Sequence, residues 1–132
     1  MKRSMAAILL AVLVSACLPG ASVRAQPKDI VIGSKKFTES VILGEIAKHL
    51  VESEGLPVRH RRELGGTRIL WEALQRGDID IYPEYTGTIT HELLPDQHLT
   101  TRPQMVAALR ALGIGMTKPF GFNNTYARKH PL

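Results

Sequence analysis

Asp78-Ile79-Asp80-Ile81-Tyr82-Pro83-Glu84-Tyr85-Thr86-Gly87-Thr88 opens with apolar Ile79 and Ile81 alternating with polar neighbours. That alternation is the period of a half-buried strand. Pro83 ends the strand because it has no N–H to give a ladder. Tyr85 and two threonine hydroxyls follow on a turn that contains Gly87. An aromatic face can hold a cation through its quadrupole, and hydroxyls can bond oxygens. The stretch therefore predicts a strand that delivers contacts for a small polar ligand at its carboxyl end.

Outward from it, residues 29–33 (DIVIG) read as a buried strand. Residues 38–54 read as a helix whose first N–H groups Thr38 or the serine before it can cap. Leu43, Ile46, Ala47 and Leu50 give that helix one apolar stripe, and Gly55 and Pro57 stop it. Residues 57–64 form a strand with Val58, His60 and Arg62 on one face and Arg59, Arg61 and Glu63 on the other. Such polarity places it near a sheet edge. A second helix over 67–76 follows Gly65-Gly66, with Ile69, Leu70, Ala73 and Leu74 inward and Trp71 at the flank. The third strand is 79–82, followed by a short helix over about 89–94. Thr101 caps a last helix, with Pro103 in its first turn, running to about Leu112. Gly113, Ile114 and Met116 suggest one more short strand.

The order strand–helix–strand–helix–strand, with short connections, specifies an α/β fold: an open, mainly parallel sheet with flanking helices and right-handed crossovers. Ligands in such sheets bind beyond the carboxyl ends of the strands. GSKKFTES at 33–40 and PEYTGT at 83–88 follow the first and third strands, so both fall on that edge.

The N-terminus reads as a targeting segment: Lys2 and Arg3, then a nearly unbroken apolar run over 5–16, too short for a membrane span. Val23-Arg24-Ala25 before Gln26 fits cleavage to a soluble product, giving a leader over 1–25. Val14-Ser15-Ala16-Cys17 resembles a lipoprotein cleavage site, giving a leader over 1–16 and an acylated Cys17. Both readings send the chain outside the inner membrane. Cys17 is the only cysteine, so no disulfide is expected within the chain. Lys2, Arg3 and Arg24 precede Gln26 and no acid does; 17 Lys and Arg less those three leave 14 against 12 Asp and Glu. The high overall pI owes much to the leader and gives no argument for nucleic acid.

GSKKFTES, ELGGT at 63–67, YPEYTGT at 82–88 and GFNNTYA at 121–127 together resemble the substrate-binding proteins of osmoprotectant ABC importers, which take glycine betaine, choline and carnitine. The likeness covers about 29–127, with the four segments in the family's order. It implies part of lobe one of a type II periplasmic-binding-protein fold, spanning 26–132, and no cofactor. It also implies that Lys35 contacts the carboxylate of betaine-type ligands. Tyr85 and Tyr126 match cage tyrosines, Thr88 a hydroxyl on the ligand carboxylate, and Asn124 a residue whose carbonyl faces the cation. Thr67 is expected to cap the second helix, with a secondary role at the cleft rim. The physical logic of a cage is direct: a trimethylammonium group has no N–H to donate, and ring faces within ~6 Å hold its diffuse charge.

The segment after Ala127 departs from the apolar continuation of that family, and the second lobe has no counterpart in this chain. A truncated frame, half of a split protein with a separately encoded second lobe, or an isolated lobe are the resulting expectations. The implied partners are a quaternary amine and the importer's membrane subunits. The alternative is a non-transporting sensory or interaction module, or an inactive remnant. The five histidines show no ligand spacing for a metal. Asp78, Asp80 and Glu84 read as a solvated rim, and no nucleophile–base pair suggests an enzyme.

Overall fold

The computed structural model describes residues 28–123. Strand β1 (Ile30–Lys35) leads into helix α1 (Thr38–Ser53), strand β2 (Val58–Gly65) and helix α2 (Thr67–Arg76). β1 and β2 pair in parallel, from Ile30 opposite Val58 to Lys35 opposite Gly65. The third strand expected over 79–82 shrinks to a single parallel bridge, Ile81 against Ile32. Its backbone bonds are Gly33 N–H to the Ile81 carbonyl at 2.8 Å and Asp80 N–H to that of Val31 at 2.7 Å. The segment is short at both ends for physical reasons. Ile79 N–H still bonds the Ala73 carbonyl as α2 unwinds through left-handed Gly77, and Pro83 has no N–H. The Asp80 carboxylate adds an anchor by accepting the Val31 N–H at 2.8 Å.

β1 is thus the central element and β2 an edge, as its polar sequence requires. The alternation predicted for β2 is broken after Arg62. The register slips between Gly33 and Lys35, and Glu63 adopts φ 53°, with the Ser34 hydroxyl accepting its N–H at 3.2 Å. This bulge turns Leu64 from the α1 face onto the α2 face of the sheet.

α2 packs two ways. Leu70 and Ala73 join Val31 and Ile79 in a core on the sheet, with Leu64, Leu74 and Tyr82 around it. Trp71, expected only to flank the helix, is instead buried among Ile89, Leu93, Leu94, Met105 and Leu109. Ile69, expected inward, is exposed. The second core belongs to the helical tail: α3 (Thr86–Thr88), a wider turn over Ile89–Leu93, a tight turn over Pro95–Gln97, and α4 (Arg102–Ala111). Thr101 caps α4 in a reciprocal box with Gln104. No strand forms over 113–120; Ile114 and Met116 pack on this second core instead.

α1 begins without the expected serine or threonine cap: Phe37 holds the capping position and makes no side-chain bond. Ser40 serves nearby, its hydroxyl accepting the Lys35 N–H at 2.9 Å. The predicted apolar stripe also divides. Leu43 and Ala47 are half-buried, while Ile46 and Leu50 are exposed together with Ile42. The face that meets the sheet is polar instead. His60, 2% exposed, contacts Glu45 at 2.6 Å, and Arg62 reaches the same oxygen at 2.7 Å. Gly44 makes room, because a Cβ there would stand 2.6 Å from His60 Cε1.

Two outcomes are expected. Gly44→Ala should destabilise the fold in urea by about 1–3 kcal/mol, despite alanine's ~1 kcal/mol advantage inside a helix. The His60 hydrogen bond and the Arg62 guanidinium hold the Glu45 carboxyl at about 2, below its ordinary 4.5. A depressed carboxyl contributes stability above its unfolded pKa and loses it as pH falls through the folded one. The unfolding midpoint should therefore drop between pH 4.5 and 2, and Glu45→Gln should flatten that drop.

Candidate functional site

β1 ends at Lys35, α2 starts at Thr67, and the third extended segment ends at Pro83. The parallel arrangement brings these points to one edge, the carboxyl edge of the sheet. Lys35 is 4% exposed, and its ammonium donates to Glu84 Oε1 at 2.5 Å and to Thr67 Oγ1 at 3.2 Å. The same Glu84 oxygen accepts the Tyr85 N–H at 2.9 Å. Lys35 Nζ lies 5.5 Å from the centroid of the Tyr85 ring, within the range of a cation–π contact. The Tyr85 hydroxyl donates to Glu39 Oε1 at 2.7 Å, in the first turn of α1. Phe37 flanks the ring at 6.1 Å between centroids.

Among the expected site residues, Lys35, Thr67 and Tyr85 come together here. Thr67 is not the cap expected of it: Gly66 holds the capping position of α2, and the Thr67 hydroxyl turns to Lys35 instead. Thr88 lies one turn on, half-buried in α3, and makes no side-chain bond to this cluster among the described residues. Cys17, Asn124 and Tyr126 lie outside the described residues. The described histidines, aspartates and glutamates form no group of three or more able to hold a metal ion. Among the described residues, no helix is long and apolar enough to cross a membrane.

Residues 28–128 match the family described as the substrate binding domain of ABC-type glycine betaine transport systems. The chain belongs to that family. The ergothioneine transport permease/ergothioneine binding protein EgtU of Helicobacter pylori is 34% identical over 109 residues, 77% of this chain and 19% of its own length. The glycine-betaine-binding protein of Pseudomonas aeruginosa is 34% identical over 114 residues, 81% of this chain and 35% of the relative. The structure of apo YehZ from Escherichia coli superposes with a TM-score of 0.54 at 32% identity, over 64% of this chain and 31% of that one. The chain therefore spans about a fifth to a third of the length of these relatives.

Within this family member, the sequence reading missed two residues of the cluster. Glu84 was expected on a solvated rim; its side chain is 9% exposed and carries the ion pair with Lys35. Asp80 bonds the backbone of β1, and Asp78 pairs with Arg76 at 2.9 Å, so the three acids do separate work. Phe37 went unassigned because its role depends on the path of the loop before α1. The signal for Glu84 was its place: between Pro83 and Tyr85, on the edge where the neighbouring strand delivers a lysine. Tyr82 packs against the core of Val31, Leu70, Ala73 and Ile79, and burial, with the Glu84 charge added, pushes its phenol above the ordinary range.

Breaking a buried pair by removing one partner leaves an uncompensated charge. Lys35→Met should lower stability by about 3–5 kcal/mol in urea unfolding followed by circular dichroism. Adding Glu84→Gln should restore most of that loss, since the amide oxygen can still accept the Tyr85 N–H.

Proposed function

We propose that this chain is part of lobe one of an extracytoplasmic substrate-binding component of an ABC importer for quaternary-amine osmoprotectants such as glycine betaine, choline or carnitine. The observation that carries the reading is the Lys35 ammonium held 5.5 Å from the Tyr85 ring centroid on the carboxyl edge. That edge supplies one cation-binding aromatic face and one buried ammonium for a carboxylate. Membership in the glycine betaine substrate-binding family and the printed names of its relatives support the same ligand class.

In this reading Tyr85 takes the trimethylammonium group, and Lys35 and Thr88 take the ligand's carboxylate. Thr67 holds the ammonium of Lys35 in place. Asn124 and Tyr126 extend the cage from the segment beyond the described residues. An opposing lobe, on the same or a separately encoded chain, closes over the ligand, and the closed form docks on the importer's membrane subunits. The leader over 1–25, or lipidation at Cys17 after cleavage at 16, delivers the protein to the periplasmic side. No covalent step is involved and no cofactor is needed.

A second reading is favoured by a separate observation: Ile42, Ile46 and Leu50 form an exposed apolar row along α1, 51–63% exposed. Such a row suits an interaction module that shares the fold without transport.

Titration of the chain with glycine betaine and choline, followed by NMR of the tyrosine rings, separates the two. Ligand binding should move the Tyr85 ring signals. Read instead at the Lys35 and Thr67 backbone amides, Tyr85→Ala should abolish binding, while Tyr82→Ala should leave the affinity within about threefold. Equal effects of the two substitutions would remove Tyr85 from the cage.

A further inference from the structure

A cation site built beside a lysine faces a conflict. The Lys35 ammonium lies 5.5 Å from the ring that is to receive the ligand's own cation. Two like charges across one ring repel, and more strongly where water is excluded. Glu84 resolves the conflict. Its carboxylate meets the ammonium at 2.5 Å, and both side chains are more than nine-tenths buried. The pair is neutral overall, so a second cation can approach Tyr85. The consequence for the other end of a zwitterion is opposite. A carboxylate that reaches Lys35 finds the ammonium already bonded to Glu84 and Thr67, with one donor left of three. It also meets the Glu84 charge. Glu84 Oε2 is buried and has no hydrogen-bond partner among the described residues, while Oε1 is shared between the Lys35 ammonium and the Tyr85 N–H.

We propose that Glu84 is a specificity-determining residue: an internal carboxylate that holds Lys35 in the unliganded protein, favours the ligand's cation and weakens capture of its carboxylate. The proposal rests on the quaternary-amine reading above. It predicts that the site discriminates between cationic alcohols and zwitterionic betaines through the competition at Lys35, and that removing the Glu84 charge moves the preference toward betaines.

The two halves of the ligand can be tested separately on the full chain, with acetate as the carboxylate and tetramethylammonium as the cation, each titrated at pH 7 by NMR. In Glu84→Gln, the acetate affinity read at Lys35 should rise roughly tenfold relative to that for tetramethylammonium read at Tyr85, the scale of one charge-assisted hydrogen bond. A fall in both affinities together, the signature of lost packing, overturns the proposal. So does an acetate response at Lys35 that is unchanged, weaker or absent in the variant. A readout on the unaltered chain stands apart from the folding of the variant: the Lys35 ammonium protons should exchange more slowly than those of Lys36. Equal exchange at the two lysines overturns the internal bond. Tetramethylammonium that leaves Tyr85 of the unaltered chain unmoved counts against the ligand reading itself, while the acetate and exchange results still decide the role of Glu84.

Discussion

The Lys35–Glu84 ion pair is the constraint around which the rest of the described fold is arranged. It joins the end of β1 to the segment after the third extended stretch. Burying two charges is expensive, and their attraction offsets the cost only when further hydrogen bonds satisfy both groups. Each neighbouring element supplies one. Thr67, at the start of α2, accepts from the ammonium, and the Tyr85 N–H donates to the carboxylate. Ser40, in the first turn of α1, fixes the backbone of Lys35 through its N–H. Three loops that are distant in sequence are therefore held to one another by polar contacts, where an apolar core would have left no ligand-binding chemistry.

The two faces of the sheet are packed by different means. On the α2 face the fit is apolar and close: a Cβ on Gly33 would stand 2.8 Å from Ile79 Cδ1 and from Leu70 Cδ1. On the α1 face, His60 takes the place of an aliphatic residue, with Glu45 on one side of its ring and Arg62 donating to the same Glu45 oxygen. Its Nε2 is buried without a hydrogen-bond partner among the described residues, against Gly44. A polar inner face of this kind gives less hydrophobic stabilisation than a leucine-lined one, about 25 cal/mol per Å² of apolar area. The exposed row of Ile42, Ile46 and Leu50 leaves more apolar area of the same helix in water. α1 is thus held to the sheet through a largely polar face, and its outer surface carries apolar area that a partner could cover.

The parallel α/β order was legible because β1, α1, β2 and α2 each carry a period and a stop signal of their own. The edge position of β2 was legible in its charges. The meeting of Lys35 and Tyr85 on the carboxyl edge followed from topology, since both fall just after extended segments. What escaped were features decided by tertiary contacts. Trp71 lies one position off the sheet-facing stripe of α2, and only the helical tail packing behind that helix buries it. Glu84 reads as a turn residue until the Lys35 side chain from 49 residues earlier meets it. The bulge at Glu63 has no glycine or proline to announce it; Ser34 on the neighbouring strand stabilises it. The strand expected at Ile114 and Met116 failed because alternation describes burial, and the tail core offered those side chains a place without a ladder.

The geometry also sets a scale for what this lobe can do unaided. A quaternary ammonium draws roughly 0.5–2 kcal/mol from each aromatic face it meets. Among the described residues, Tyr85 offers one such face, with Phe37 beside it at 6.1 Å between centroids. A shared donor on Lys35 adds about 1.5–3 kcal/mol for a charged hydrogen bond. Together these reach roughly the millimolar range, about 4 kcal/mol, before the cost of immobilising the ligand is counted. High affinity therefore requires further rings that enclose the cation and a further cation on the carboxylate. In the proposed reading, both are expected from the segment beyond the described residues and from an opposing lobe. In the proposed reading, the neutral Lys35–Glu84 pair lets the described part of the site sit without ligand at little electrostatic cost, and leaves the net charge of a closed cleft to the surface that completes it.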